Sequence, residues 1–122
     1  MARPATAPRP APVLTKALLR AADGLGVNQR RLGAILGVSE ATISRLGRGK
    51  TLDPADKPGE LAVLFLRLYR SLDTLVGGDA GKARSWLWAD NRHLGGIPAE
   101  RIASVAGLVD VVGYLDAMRG KL

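Results

Sequence analysis

No cysteine occurs in the 122 residues, so disulfides, thiolate metal sites and thiol nucleophiles are excluded together, as a reducing cytosol permits. That points to the cytoplasm. The single histidine, His93, has no second His or Cys to join it, and a metal site is not expected. Aromatic residues make up 4% of the chain while 47% is hydrophobic, so Leu, Val, Ile and Ala must build the core. Long apolar runs are missing too: the longest, Leu61 to Leu66, has six residues, against the roughly 18 that a membrane span needs. No membrane partner is expected. Acidic residues are scarce in the first part of the chain, where residues 1–50 carry nine basic side chains against only Asp23 and Glu40. Residues 51–122 carry nine of each sign, so the net charge of +7 belongs wholly to the leading segment. A surplus placed in this way points to a polyanion, nucleic acid first, and leaves the neutral remainder free for a different task.

Punctuation along the chain divides it further. Residues 1–12 (MARPATAPRPAP) hold four prolines and two arginines, too little apolar surface to offset chain entropy, and read as a flexible arm. A secretory signal is not expected, because Pro and Arg interrupt any apolar segment there. The stretch GRGKTLDPADKPG, residues 47–59, has three glycines, two prolines and no helical stripe. The predicted organisation is therefore an arm over 1–12, a first module over 13–50, a linker over 51–59 and a second module over 60–122. Everything between the breaks has helical spacing. Leu14, Leu18, Ala21 and Leu25 form one stripe, and Leu61, Leu64, Phe65, Leu68, Leu72, Leu75 and Val76 form another that runs for four turns. The second face of that longer helix is also apolar at Ala62, Val63, Leu66 and Tyr69, which predicts cover on two sides, including a second subunit in a homodimer. Helices are also expected over 79–88 and 108–118, with a short Pro98-initiated turn between them. With no period-two alternation anywhere, the fold class is all-α.

Within the basic part, residues 28–49 read NQRRLGAILGVSEATISRLGRG. Asn28 caps a short helix with Leu32, Ile35 and Leu36 inward, Gly37 supplies the positive φ of a tight turn, and Val38 plugs the angle between the helices. Ser39 then caps a second helix clamped by Ile43 and Leu46. This is the form of a helix-turn-helix. With the clamp buried, Glu40, Thr42, Ser44, Arg45 and Arg48 face outward, where Arg45 can address a guanine and Thr42 and Ser44 bases or phosphates. Gln29 and Arg30, at the start of the preceding helix, are placed for a phosphate. The alternative is an ordinary helical hairpin with a solvated charged face.

Gln29, Leu32, Leu36-Gly37-Val38-Ser39, Thr42-Ile43-Ser44-Arg45 and Gly49 resemble the Xre/Cro type of helix-turn-helix. Residues 84–98, RSWLWADNRHLGGIP, resemble the C-terminal domain of the Xre/MbcA/ParS family of antitoxins through Trp86-Leu87, Asn91, Leu94-Gly95-Gly96 and Pro98. Two positions depart from that pattern: Asp90 stands where a proline commonly precedes the Asn, and only Ile97 separates the glycine pair from Pro98. The resemblance implies a protein that neutralises a toxin encoded beside it, often a RES-domain protein that consumes NAD, and that binds its own promoter. It further implies that the C-terminal segment reaches the toxin, which makes Arg119, Lys121 and Leu122 candidate contacts.

From the residues alone, Trp86 and Trp88 point to different sides of a helix. Trp86 is expected in the core and Trp88 partly exposed at a protein interface; the resemblance adds Asn91 to the candidate toxin contacts. Gly95-Gly96 reads most simply as a chain reversal and His93 as a surface residue. Catalysis is not expected, since the closest acids, Asp53, Asp56 and Glu60, sit in the proline-rich linker, where little burial is available to shift a pKa. No cofactor follows from any motif. A free-standing transcriptional regulator whose second module only dimerises fits the same residues, as does a helix-turn-helix kept only as scaffold.

Overall fold

A computed structural model describes residues 9–121; the first eight residues of the predicted arm and the candidate contact Leu122 lie outside the described residues. Seven helices follow one another: α1 (Pro10–Gly24), α2 (Gln29–Leu36), α3 (Glu40–Leu46), α4 (Lys57–Leu75), α5 (Ala80–Trp88), α6 (Pro98–Arg101) and α7 (Val105–Arg119). Among the described residues the only β-type pairing is an isolated bridge between Asn91 and Gly96. The all-α expectation holds.

Three helices begin earlier than their sequence pattern suggested, each for a local reason. Pro10 opens α1, so Pro10 to Pro12 belong to a helix and not to the arm; a proline in the first turn gives up an N–H that has no partner there anyway. Pro58 does the same for α4, which takes Lys57, Pro58 and Gly59 out of the predicted linker. Gly59 is buried, and a methyl group at that position would overlap the Asp53 carbonyl, so this glycine marks close packing and not a break. Helix α7 starts at Val105 because the Ser104 hydroxyl accepts from the Gly107 amide at 3.0 Å, a cap the periodicity did not reveal.

The stripes bury as their spacing requires. Leu18, Phe65, Leu68, Leu72, Leu108 and Leu115 have no or nearly no exposed surface, each contributing about 1.5–3 kcal/mol relative to the exposed side chain. Helix α4 packs on α1 and α2 and most extensively on α7. One continuous core therefore runs from Leu14 to Leu115. The segment after α3 is held to it by Thr15, whose hydroxyl donates to the Ala11 carbonyl at 2.7 Å and accepts from the Leu52 amide at 2.9 Å. On the second face of α4, Ala62 and Leu66 are buried and Tyr69 is half-buried, but Val63 remains 50% exposed.

Candidate functional site

The helix-turn-helix geometry is built by two caps and a turn. Asn28 Oδ1 accepts from the Arg31 amide at 2.9 Å, and Ser39 Oγ accepts from the Thr42 amide at 3.1 Å. Between them Gly37 adopts φ +70°, the left-handed conformation expected of it, and Val38 is half-buried against the core. Gly33 is buried on the inner side of the turn, where an added methyl would press within 2.7 Å of the Val38 carbonyl. Ile43 and Leu46 are buried, which fixes the roll of α3. Glu40, Arg45 and Arg48 are then exposed, Thr42 and Ser44 are half-buried, and Gln29 and Arg30 are exposed at the start of α2. Thr42 is less free than its composition suggested, because its hydroxyl lies 3.0 Å from that of Ser39 in the cap.

Arg31 takes a different course from Arg30. Its guanidinium carbon lies 4.8 Å from the ring centroid of Trp88 in α5, a cation–π arrangement. Trp88 is half-buried, and its indole N–H donates to the Leu25 carbonyl at 2.9 Å. From the same face of α5, Arg84 donates to the Gly24 carbonyl through Nε at 3.3 Å and Nη2 at 3.1 Å. Two side chains four residues apart thus cap the C-terminal end of α1, whose last carbonyls have no partner within the helix. Sequence reasoning assigned Trp88 to an interface and passed over Arg84 and Arg31; the i, i+4 spacing of Arg84 and Trp88 was the available signal.

Trp86 is not in the core. It is half-buried and stacks on Tyr114 of α7 with centroids 6.2 Å apart and planes 18° from parallel. Helix α5 is short and lies at the margin of the bundle, so Ala83 and Leu87 alone reach the interior and the two tryptophans flank them. His93 is exposed, as expected, and rests on the same Tyr114 ring at 5.8 Å. The loop that carries it is closed at its ends: the Asn91 amide donates to the Gly96 carbonyl at 2.9 Å and the Gly96 amide returns to the Asn91 carbonyl at 3.2 Å. Asn91 Oδ1 also accepts from the Leu94 amide at 3.2 Å. Gly95 and Gly96, at φ +70° and +154°, make the reversal. Asn91 therefore shapes the loop, with its side chain half-buried.

At the far end of α7, Arg119 and Lys121 are exposed. One turn earlier Asp116 accepts from the Ser71 hydroxyl at 2.7 Å and pairs with Arg67 at 2.6 Å. The hydrogen bond from Ser71, with help from Arg67 and Arg119, holds this carboxyl below its ordinary range against the opposing effect of burial. Among the described residues no cluster of His, Cys, Asp and Glu could hold a metal ion, and no helix is long and apolar enough to cross a membrane.

With this geometry in place, comparison with known proteins is direct. Residues 4–67 match the antitoxin Xre-like helix-turn-helix domain, and residues 71–121 match the antitoxin Xre/MbcA/ParS C-terminal toxin-binding domain. Among solved structures the chain is similar in fold to a chain of the crystal structure of the M. tuberculosis MbcT-MbcA toxin-antitoxin complex. The TM-score is 0.66 at 21% identity, covering 90% of this chain and 96% of that one. A comparison with curated proteins finds no match. The two matched stretches meet within α4, the helix shared by both halves of the core. An Xre-like helix-turn-helix joined through that helix to an Xre/MbcA/ParS toxin-binding domain places the chain in the Xre/MbcA/ParS antitoxin family, as an antitoxin of a toxin–antitoxin system.

Proposed function

We propose that this antitoxin inhibits its toxin by steric occlusion, that the toxin is of the RES-domain, NAD-consuming class, and that the antitoxin represses its own operon by binding operator DNA as a homodimer. The carrying observation is the roll of α3: Ile43 and Leu46 are buried while Glu40, Arg45 and Arg48 are exposed, as are Gln29 and Arg30 at the start of α2. A short helix so oriented suits the major groove, with Arg45 and Arg48 for guanine and phosphate and the half-buried Thr42 and Ser44 at its edge. Glu40, the one acid on this face, suits a cytosine amino group. On the toxin side, Arg119 and Lys121 leave α7 exposed and, with Leu122, form the contacting end. Trp88 and Asn91, each held by internal hydrogen bonds, act there by presenting their half-buried outer edges. The MbcT-MbcA complex, a toxin with its antitoxin, supports the toxin reading by likeness of fold.

Co-expression with the adjacent open reading frame is the test. A toxic neighbour that is silenced by, and co-purifies with, the full chain fits the proposal; a harmless neighbour that does not bind ends its toxin half. Removal of residues 119–122 should abolish neutralisation and leave operator binding intact. If removal has no effect, a free-standing regulator is the better description.

A further inference from the structure

A groove of about 520 Å³ runs between α1 and α4. Its two walls have the same construction. Helix α1 contributes Pro10, Val13, Leu14 and Ala17, and α4 contributes Val63, Leu66, Arg67 and Arg70, each at i, i+3, i+4 and i+7. Two parallel stripes of this spacing form a trough whose complement is a third helix with a stripe of its own. Val13 and Val63 are 52% and 50% exposed, although both lie in regular helices next to the core, so their apolar surface is left to water.

The rim decides the occupant. Arg67, Arg70 and Arg119 border the trough, and the nearby carboxylate, Asp116, is already engaged by Arg67 and Ser71. A second copy laid on this face about a two-fold axis would double the arginines in the shared interface without adding an acidic lining residue, which like-charge repulsion opposes. The leading residues of the chain do not suit it either, since residues 1–8 carry Arg3 and no acid. We infer that the α1/α4 groove is a docking site for an acidic amphipathic helix of a partner protein, its aliphatic stripe on Val13, Leu14, Val63 and Leu66 and its carboxylates on Arg70 and Arg119. No lining residue lies on α2 or α3, so the inference is independent of operator binding, and only Arg119 is shared with the toxin-contacting residues.

The test uses the full chain and a fluorescein-labelled helical peptide of about four turns, with leucines on one stripe flanked by glutamates. Saturable binding is expected, weakened roughly tenfold or more by Arg70→Glu and by Val63→Asp. A peptide with lysine in place of each glutamate should not bind. Both substituted side chains are exposed, so thermal melting of the variants should overlay that of the parent; Arg70→Glu carries the test if Val63→Asp fails to fold. The inference is overturned if the acidic peptide does not bind, if the lysine peptide binds equally well, or if the variants retain parental affinity. It is also overturned if sedimentation shows a dimer that Val63→Asp converts to monomer, because a second copy would then fill the groove.

Discussion

The indole N–H of Trp88 donates to the carbonyl of Leu25 at 2.9 Å, joining a residue of the toxin-binding domain to the end of the first helix. Trp88→Phe keeps most of the ring and removes the donor, so stability should fall by about 1 kcal/mol. Trp88→Ala also removes ring packing and the seat of Arg31, and should cost about 3 kcal/mol. Urea unfolding of the two variants separates hydrogen bond from packing; equal losses would mean that the hydrogen bond, absent from both, matters and the ring packing does not.

Ser71, fully buried on α4, donates to Asp116 on α7 and lowers the pKa of that carboxyl from 3.8. A depressed folded-state pKa gives stability that is present above the unfolded value and is lost as the pH falls through the folded one. Ser71→Ala should therefore destabilise the protein by about 1 kcal/mol near neutral pH, with a smaller penalty once the carboxyl is protonated. Chemical unfolding measured from neutral pH down to about pH 3 checks this. A penalty independent of pH would assign the loss to the hydroxyl's packing alone.

Gly59 and Gly107 lie within helices against the carbonyls of Asp53 and Arg101, with no room for a methyl group. Either residue changed to alanine should lower stability by about 1–3 kcal/mol through displaced backbone, although alanine is the better helix former. Gly113, in the same helix as Gly107 and with open space around it, is the control. There alanine should stabilise by about 0.5–1 kcal/mol, and thermal melts of the three variants give the contrast.

For the proposed operator interface, Arg45→Ala should weaken specific binding by about 1–3 kcal/mol with little change in binding to unrelated DNA. Arg30→Ala, by contrast, should reduce affinity for both and lower the salt slope by about one phosphate contact. Fluorescence anisotropy across a salt series distinguishes the two effects. If neither substitution changes binding, the helix-turn-helix serves only as scaffold.

The helices were legible in the sequence where one side chain per turn had to be buried, as at Leu14, Leu18, Phe65 and Leu72. The turn at Gly37 was legible because a positive φ leaves few alternatives to glycine. Gly59 misled for the opposite reason: it is glycine because the Asp53 carbonyl, in the turn that enters its own helix, comes close. Trp86 misled as well, since a large apolar residue beside a core leucine looks interior, yet its own short helix turns only Ala83 and Leu87 inward. At the site, the outer face of α3 followed from burying Ile43 and Leu46. The partners Leu25 and Gly24, some sixty positions from Trp88 and Arg84, lay beyond any spacing rule.

Helix α4 has 19 residues and is continuous through the region where the two matched families meet. The helix-turn-helix and the toxin-binding domain are therefore mounted on a common rod, with no break in that helix to let one swing free of the other. Severing the chain between them would strand Phe65, Leu68 and Leu72 in water on whichever fragment kept them. Neither half then keeps its packing without the other.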